Sequence, residues 1–412
     1  MEKITDVKAI EVLDSRGNPT VCAQVILSDG ASGVAIVPSG ASKGRYEATE
    51  LRDEDSHRFE GKGVLKAVEN INTTIRSALT KTKTIEQNII DEYLCNLDGT
   101  ENKENLGANA ILAVSMALSR AAAEHYKMPL YRYLGGTGPR KMPVPMMNIL
   151  NGGAHAQNNI DIQEFMIVPI GAPNIKEAIR WGSEIYHRLG KNLKLMGLAS
   201  GVGDEGGYAP NIESDEEALK LICQAINDAG FDFSDVSLAL DVAAGEWYHE
   251  DKYYLPKREV YMSSMDICSK MAEYISDFPI ISIEDPVSED DFEGWEKITR
   301  LLGNKVRLVG DDLFATNAKR LKNGIINGMS NAILIKPNQI GTVSETLEVI
   351  ELAKKNKFTP IISHRSGESE DTFIADLAVA TSAKYIKSGA PCRTDRTAKY
   401  NRLISIEHSL NL

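Results

Sequence analysis

The sequence predicts an α/β barrel preceded by a smaller α+β domain. Three observations lead there. The chain has 412 residues, and a single hydrophobic core rarely grows past about 250–300, so two domains are expected. From about residue 235, short apolar runs alternate with longer amphipathic segments, the pattern of βαβ units. Before residue 134 the order is strands first and helices after, as in α+β folds.

The N-terminal region, residues 1–134, begins with strand-like runs over 7–13, 20–27 and 31–37. They are separated by the turn-rich Asp14-Ser-Arg-Gly-Asn-Pro and by Asp29-Gly30, which predicts a small antiparallel meander. Pro38-Ser-Gly-Ala-Ser-Lys-Gly44 reads as a flexible loop. In residues 108–126, Ala, Leu, Ile and Met recur at helical spacing. Leu134-Gly-Gly-Thr-Gly-Pro139 reads as a linker to the second domain, residues 138–412. There, 144–150 and 163–168 are expected strands joined by the polar Asn151-Gly-Gly-Ala-His.

Each later apolar run ends in a chemically useful residue. Ser237-Leu-Ala-Leu leads to Asp241, Pro279-Ile-Ile-Ser-Ile to Glu284, and Val306-Arg-Leu-Val-Gly to Asp311. Ala332-Ile-Leu-Ile leads to Lys336, Pro360-Ile-Ile-Ser to His364 and Arg365, and Lys384-Tyr-Ile to Lys387. After Glu284 these residues recur about every 25 positions, the length of one unit in an eight-unit barrel. The longer gap between Asp241 and Glu284 leaves room for an insertion around 252–261. Active sites of such barrels lie at the C-terminal strand ends, so all these groups are expected at one mouth.

Their chemistry is specific. Asp241, Glu284 and Asp311 offer hard oxygen ligands without His or Cys, which favours Mg²⁺. Lys336, among apolar walls and near a divalent cation, is expected to have a lowered pKa and to act as a general base. Arg365, Ser366 and Lys387 supply donors for an anionic substrate. Glu164 and Glu205 are candidates to share a proton as a general acid. Gly201-Val-Gly203-Asp-Glu-Gly206 matches a dinucleotide-binding pattern, but no strand precedes it and no helix follows, so that reading is rejected.

Composition narrows the classes. Hydrophobic residues make up 42% and charged residues 25%, ordinary for a globular protein. The net charge of −12 disfavours nucleic-acid binding. The 5 cysteines form no C-x-x-C pair, so neither zinc nor a disulfide framework is indicated. No run reaches the length of a membrane span, and the first residues lack an apolar signal segment. A cytoplasmic location is expected.

Many of these stretches resemble the enolase family. They include Asp14-Ser-Arg-Gly-Asn-Pro-Thr, Ser39-Gly-Ala-Ser, Glu50-Leu-Arg-Asp, Gly107-Ala-Asn-Ala-Ile-Leu, Asn148-Ile-Leu-Asn-Gly-Gly-Ala-His and Gln163-Glu-Phe-Met. Gly203-Asp-Glu-Gly-Gly, Ala239-Leu-Asp-Val-Ala, Ile283-Glu-Asp-Pro, Val309-Gly-Asp-Asp-Leu, Leu334-Ile-Lys-Pro-Asn-Gln, Ser363-His-Arg-Ser-Gly-Glu and Ile386-Lys-Ser-Gly-Ala-Pro extend the match along nearly the whole chain. The resemblance implies a modified (β/α)8 barrel with a ββαα start. It also implies a hydro-lyase that reversibly dehydrates 2-phospho-D-glycerate to phosphoenolpyruvate, in glycolysis and gluconeogenesis, with two Mg²⁺ per active site.

By the same resemblance, Lys336 is the general base, and Glu205, supported by Glu164, the general acid. Asp241, Glu284 and Asp311 hold the first Mg²⁺, and Ser42, in the catalytic loop near 38–44, joins the second. Lys387 meets the substrate carboxylate. Arg365 and Ser366 hold the phosphate, and His155, His364, Gln163 and Asp312 line the pocket. A homodimer or ring of dimers is implied. In the family this loop usually reads Ser-Gly-Ala-Ser-Thr-Gly; here Lys43 replaces the threonine, beside a proposed metal ligand, and altered turnover is expected.

Two rivals stand beside this reading. One is a superfamily lyase or racemase acting on sugar acids, against which the Ser-His-Arg-Ser segment and the 39–42 loop argue. The other is a catalytically weak binding protein displayed at the cell surface. The family's secondary partners include plasminogen, whose capture often uses a C-terminal lysine. This chain ends Leu410-Asn-Leu412, so such binding is expected to be weak.

Overall fold

The computed structural model describes residues 2–40 and 44–410. Ser42 and Lys43 lie outside the described residues.

Three strands open the chain: β1 (Ile4–Leu13), β2 (Pro19–Leu27) and β3 (Ser32–Ile36) form an antiparallel sheet in that order. Alternation decides its faces. Val21, Ala23, Val25 and Leu27 of β2 are buried, as a two-residue period requires when one face covers a core. The covering element is the helix Ala108–His125, buried at nearly every position along its first three turns. Its many alanines let the backbones approach. At Gly33 of β3, an added Cβ would stand 2.1 Å from the carbonyl oxygen of Ala117, so only glycine fits against the helix there.

The second part of the chain closes an eight-stranded barrel. Its strands are β4 (Val144–Asn151), β5 (Glu164–Val168), β6 (Ser237–Asp241), β10 (Ile280–Glu284), β11 (Arg307–Gly310), β12 (Ala332–Ile335), β13 (Thr359–Ser363) and β14 (Tyr385–Lys387). The order around the barrel is β10-β11-β12-β13-β14-β4-β5-β6. β5 runs against both neighbours, whereas the other pairings are parallel. Helices Ile175–Leu195 and Asp215–Asp228 follow β5 in succession. The barrel therefore starts ββαα before settling into βα units. Met146, Met166, Val168, Ala239, Val309, Ala332, Leu334 and Ile361 fill its interior, making a packed core rather than a channel.

The insertion between β6 and β10 contains a small antiparallel sheet: β7 (Tyr248–His249), β8 (Lys252–Leu255) and β9 (Val260–Met262). A capping box of Ser263 and Asp266 then starts helix Ser264–Asp277. No helix of the described residues is long and apolar enough to cross a membrane.

Candidate active site

Barrel register sets three carboxylates side by side. Glu164 pairs with Asp241 across β5 and β6, and Asp241 with Glu284 across β6 and β10. Asp311 follows the end of β11, Lys336 that of β12, His364 and Arg365 that of β13, and Lys387 closes β14. The parallel strand ends, and the start of antiparallel β5 at Glu164, place these positions at one mouth. All of them but Glu284 line a cavity of about 360 Å³, together with His155, Gln163, Glu205, Asp312 and Ser366.

Lys387 occupies the centre of the acidic group. Its Nζ donates to Asp241 Oδ2 at 3.0 Å and Glu284 Oε2 at 2.8 Å, and lies 3.2 Å from Glu164 Oε2. Burial would strip its charge, but Asp241, Glu164 and Glu284 together hold the ammonium well above the usual lysine range. The carboxylates respond the other way. Burial and neighbouring negative charge raise Glu164 and Glu284 well above the usual carboxylate range. Gln163 adds a donor to Asp241 Oδ2 at 3.4 Å.

Lys336 is ion-paired with Asp311. The expected lowering of its pKa is therefore corrected. Burial pulls the amine down, yet the Asp311 carboxylate overrides it and leaves Lys336 above the ordinary lysine value. The expected causes were apolar walls and a nearby cation; burial does act downward, and Asp311 outweighs it. Asp311 is held further by Gln339, whose Nε2 donates at 3.0 Å. Burial and Asp311 raise Asp312 to about 7.

Glu205 comes from the loop between helices Ile175–Leu195 and Asp215–Asp228. Its Oε2 accepts from Asn148 at 3.0 Å and lies 3.7 Å from His364 Nε2. His155 Nδ1 stands 3.7 Å from both Glu164 Oε1 and Glu205 Oε1. Burial opposes the charge on Glu205, but the Nε2–H of His364 that faces it, with His155, Arg396 and Lys387, holds it well below the usual range. The pair thus keeps its proton on the Glu164 side. Burial keeps His364 neutral. Arg396 can only donate to His364 Nδ1, so the ring hydrogen sits on Nε2, toward Glu205.

Arg365 meets an anion already present. Its Nη1 donates to Glu47 Oε2 at 2.9 Å and its Nη2 to Glu47 Oε1 at 3.0 Å. From behind, Arg396 donates to the carbonyls of Arg365 and Ser366, both at 2.5 Å, which fixes the backbone of that loop.

The loops after these strands are strained. Ala243, Asp285, Ala315 and Thr316 have φ of 48°, 37°, 45° and 52°, left-handed values that side chains with a Cβ rarely take. All four follow strand ends bearing carboxylates, and such strain gathers at functional sites. Asp285 shows what sustains it: its carboxylate accepts the backbone N–H groups of Asp311 at 3.0 Å and Asp312 at 2.9 Å.

As a metal site the arrangement differs from the expected trio. Lys387 engages Asp241 and Glu284, and Lys336 takes Asp311. Around the strand ends, oxygen and nitrogen donors gather within 4.8 Å of one another in two other sets, Asp285–Asp311–Asp312 and His155–Glu164–Glu205. The mouth nonetheless fits a hard divalent ion. Glu284 Oε1 is buried with no hydrogen-bond partner among the described residues, and burial with the negative charge of Asp241 and Asp311 raises the Glu284 carboxyl, a crowding of hard oxygen donors that a divalent cation would relieve.

Sequence reasoning missed Glu47, Asn148, Asp285, Gln339 and Arg396. Asn148, Asp285 and Gln339 stood inside quoted motifs without a role. Glu47 lies 318 positions from Arg365, and no local spacing links the two.

Residues 4–134 match the family model described as the enolase N-terminal domain, and residues 139–411 that described as the enolase C-terminal TIM barrel domain.

Proposed function

The chain belongs to the enolase family, and on that premise we propose that it reversibly dehydrates 2-phospho-D-glycerate to phosphoenolpyruvate and water. The observation that carries this is the pairing, in one mouth, of a buried lysine on one side with a proton-sharing carboxylate pair on the other. Elimination of water needs those two groups at once.

Lys336 removes the proton from C2. Asp311 stabilises its ammonium form, so the amine must part from Asp311 before it can accept that proton. The hydroxyl at C3 leaves with a proton delivered by Glu205 from the Glu164–Glu205 pair. Glu164 stores that proton because burial and the charge on Glu205 raise its affinity for it. Lys387 faces the substrate carboxylate, and Arg365 with Ser366 binds the phosphoryl group. His155, His364, Gln163 and Asp312 complete the walls.

Enolase-superfamily proteins use Mg²⁺. Here Asp241, Glu284 and Asp311 would hold one ion, and Ser42 would join a second. When bound, the ions supply positive charge to the carboxylate on which negative charge builds as C2 loses its proton. Single preorganised electrostatic contacts of this kind contribute about 3–4 kcal/mol.

The test is the formation of phosphoenolpyruvate from 2-phosphoglycerate, with and without Mg²⁺, beside the Lys336→Ala variant. Turnover should require the metal and vanish in the variant. Turnover of a sugar acid in place of phosphoglycerate, or an active variant, would overturn the assignment.

A further inference from the structure

Glu47 holds the guanidinium that the proposed reaction gives to the phosphoryl group. The contact is a two-point fork, with both Glu47 oxygens on the two terminal nitrogens of Arg365. Nη1 is shared with Asn338 Oδ1 at 3.0 Å. The Glu47 and Arg365 side chains are only 9% and 6% exposed, so water weakens the pair little. Glu47 also lines the reaction cavity.

The same carboxylate shapes its own backbone. Glu47 Oε1 accepts the Gly44 N–H at 3.2 Å and lies 3.4 Å from Gln339 Nε2. Behind it, Tyr46 is pinned to the barrel rim. Its hydroxyl donates to Asp290 Oδ1 at 2.9 Å, and the Arg320 guanidinium lies 3.5 Å from its ring centroid.

A phosphoryl dianion arriving at Arg365 meets the Glu47 charge on the same guanidinium. Two anions there repel each other strongly in a cavity of low dielectric. The phosphoryl group has twice the charge and three acceptor oxygens, so it is the stronger partner for a planar fork. Resting on the assignment of Arg365 to the phosphoryl group, we infer that Glu47 is a resident carboxylate which the substrate's phosphoryl group displaces, releasing the Gly44 N–H while Tyr46 stays anchored. Glu47 is thus a positioning residue: it keeps Arg365 extended and neutralised until a more highly charged anion replaces it.

The probe is inorganic phosphate, titrated by calorimetry into the Mg²⁺-loaded protein and its Glu47→Gln and Glu47→Ala variants. Both variants should bind phosphate about tenfold more tightly, the effect of relieving one charge-assisted contact, and KM for 2-phosphoglycerate should fall with it. In the wild-type protein, phosphate should accelerate hydrogen exchange at the Gly44 amide, which donates to the Glu47 carboxylate, a readout that needs no variant to fold. Weaker or unchanged phosphate binding in the variants, or unaltered exchange in the wild type, would show that Glu47 merely orients Arg365. If those results accompany normal wild-type turnover, this inference falls alone. A wild type that neither binds phosphate nor turns over removes the functional assignment and this inference together.

Discussion

The two halves of the barrel mouth are built differently. In one, Glu164, Asp241 and Glu284 are neighbours by strand register, and Lys387 lies among them. In the other, Asp311, Lys336 and Arg365 stand on successive strand ends; Asp311 pairs with Lys336 and accepts from Gln339, while Arg365 donates to Asn338 and Glu47. The first half is a closed charge cluster in which one cation serves three carboxylates. The second is a set of exchangeable pairs, each able to trade its partner for a substrate or metal contact. The difference teaches that one fold can pool charge around a single cation on one wall of a pocket and divide it into separate pairs on the other.

Breaking Lys336 should have the largest effect, on rate. Lys336→Ala is expected to lower kcat by about 10³–10⁴-fold, the upper range for a general base. Its stability should change modestly, because Asp311 keeps the Gln339 hydrogen bond and faces the cavity. Urea unfolding beside steady-state assay checks both halves of this statement.

Lys387→Met should lose about 3–5 kcal/mol of stability in chelator, because buried carboxylates are left without their cation. Denaturant unfolding measures it. If Lys336→Ala proves equally destabilising, the contrast between a pooled and a paired wall is wrong.

Asp285→Asn replaces one acceptor oxygen with a donor against the Asp311 or Asp312 N–H. The expected cost is about 1–3 kcal/mol, the range for a buried group left unsatisfied, together with weaker Mg²⁺ affinity by calorimetry. Unchanged affinity would show that Asp285 does not position the Asp311 loop.

The smallest effect is a pH slope. Asp312 has a folded pKa raised to about 7 from an ordinary value near 3.8. Between those values the folded state binds the proton and the unfolded state does not, so this group's contribution to stability falls as pH rises through that window. In metal-free protein, Asp312→Asn should flatten the decline between pH 4 and 7. An unaltered slope would assign the decline to other groups, such as Glu164 and Glu284, whose pKa values are raised in the same sense.

The fold was legible because its signals are local. Period-two alternation marked β1 and β2, helical spacing marked Ala108–His125, and apolar runs ending in Asp241, Glu284, Asp311, Lys336 and Lys387 marked the parallel strands. The antiparallel β5 was legible through resemblance alone, since strand direction leaves no mark on an apolar run. Within the site, residue types were readable but partners were not. The Lys336 pKa shift was assigned the wrong sign for that reason: its electrostatic neighbour is Asp311, which lies 25 positions away and is brought to it by barrel geometry.

The sequence by itself determined which segments become strands and helices, and which chemical groups end each strand, because periodicity and side-chain chemistry act over a few residues. Tertiary structure alone decided that Lys387 would sit among three carboxylates and that Glu47 would hold Arg365 across 318 positions. Closing the barrel fixes register around its whole circumference, and charge interactions depend on distances through space, which chain order does not encode.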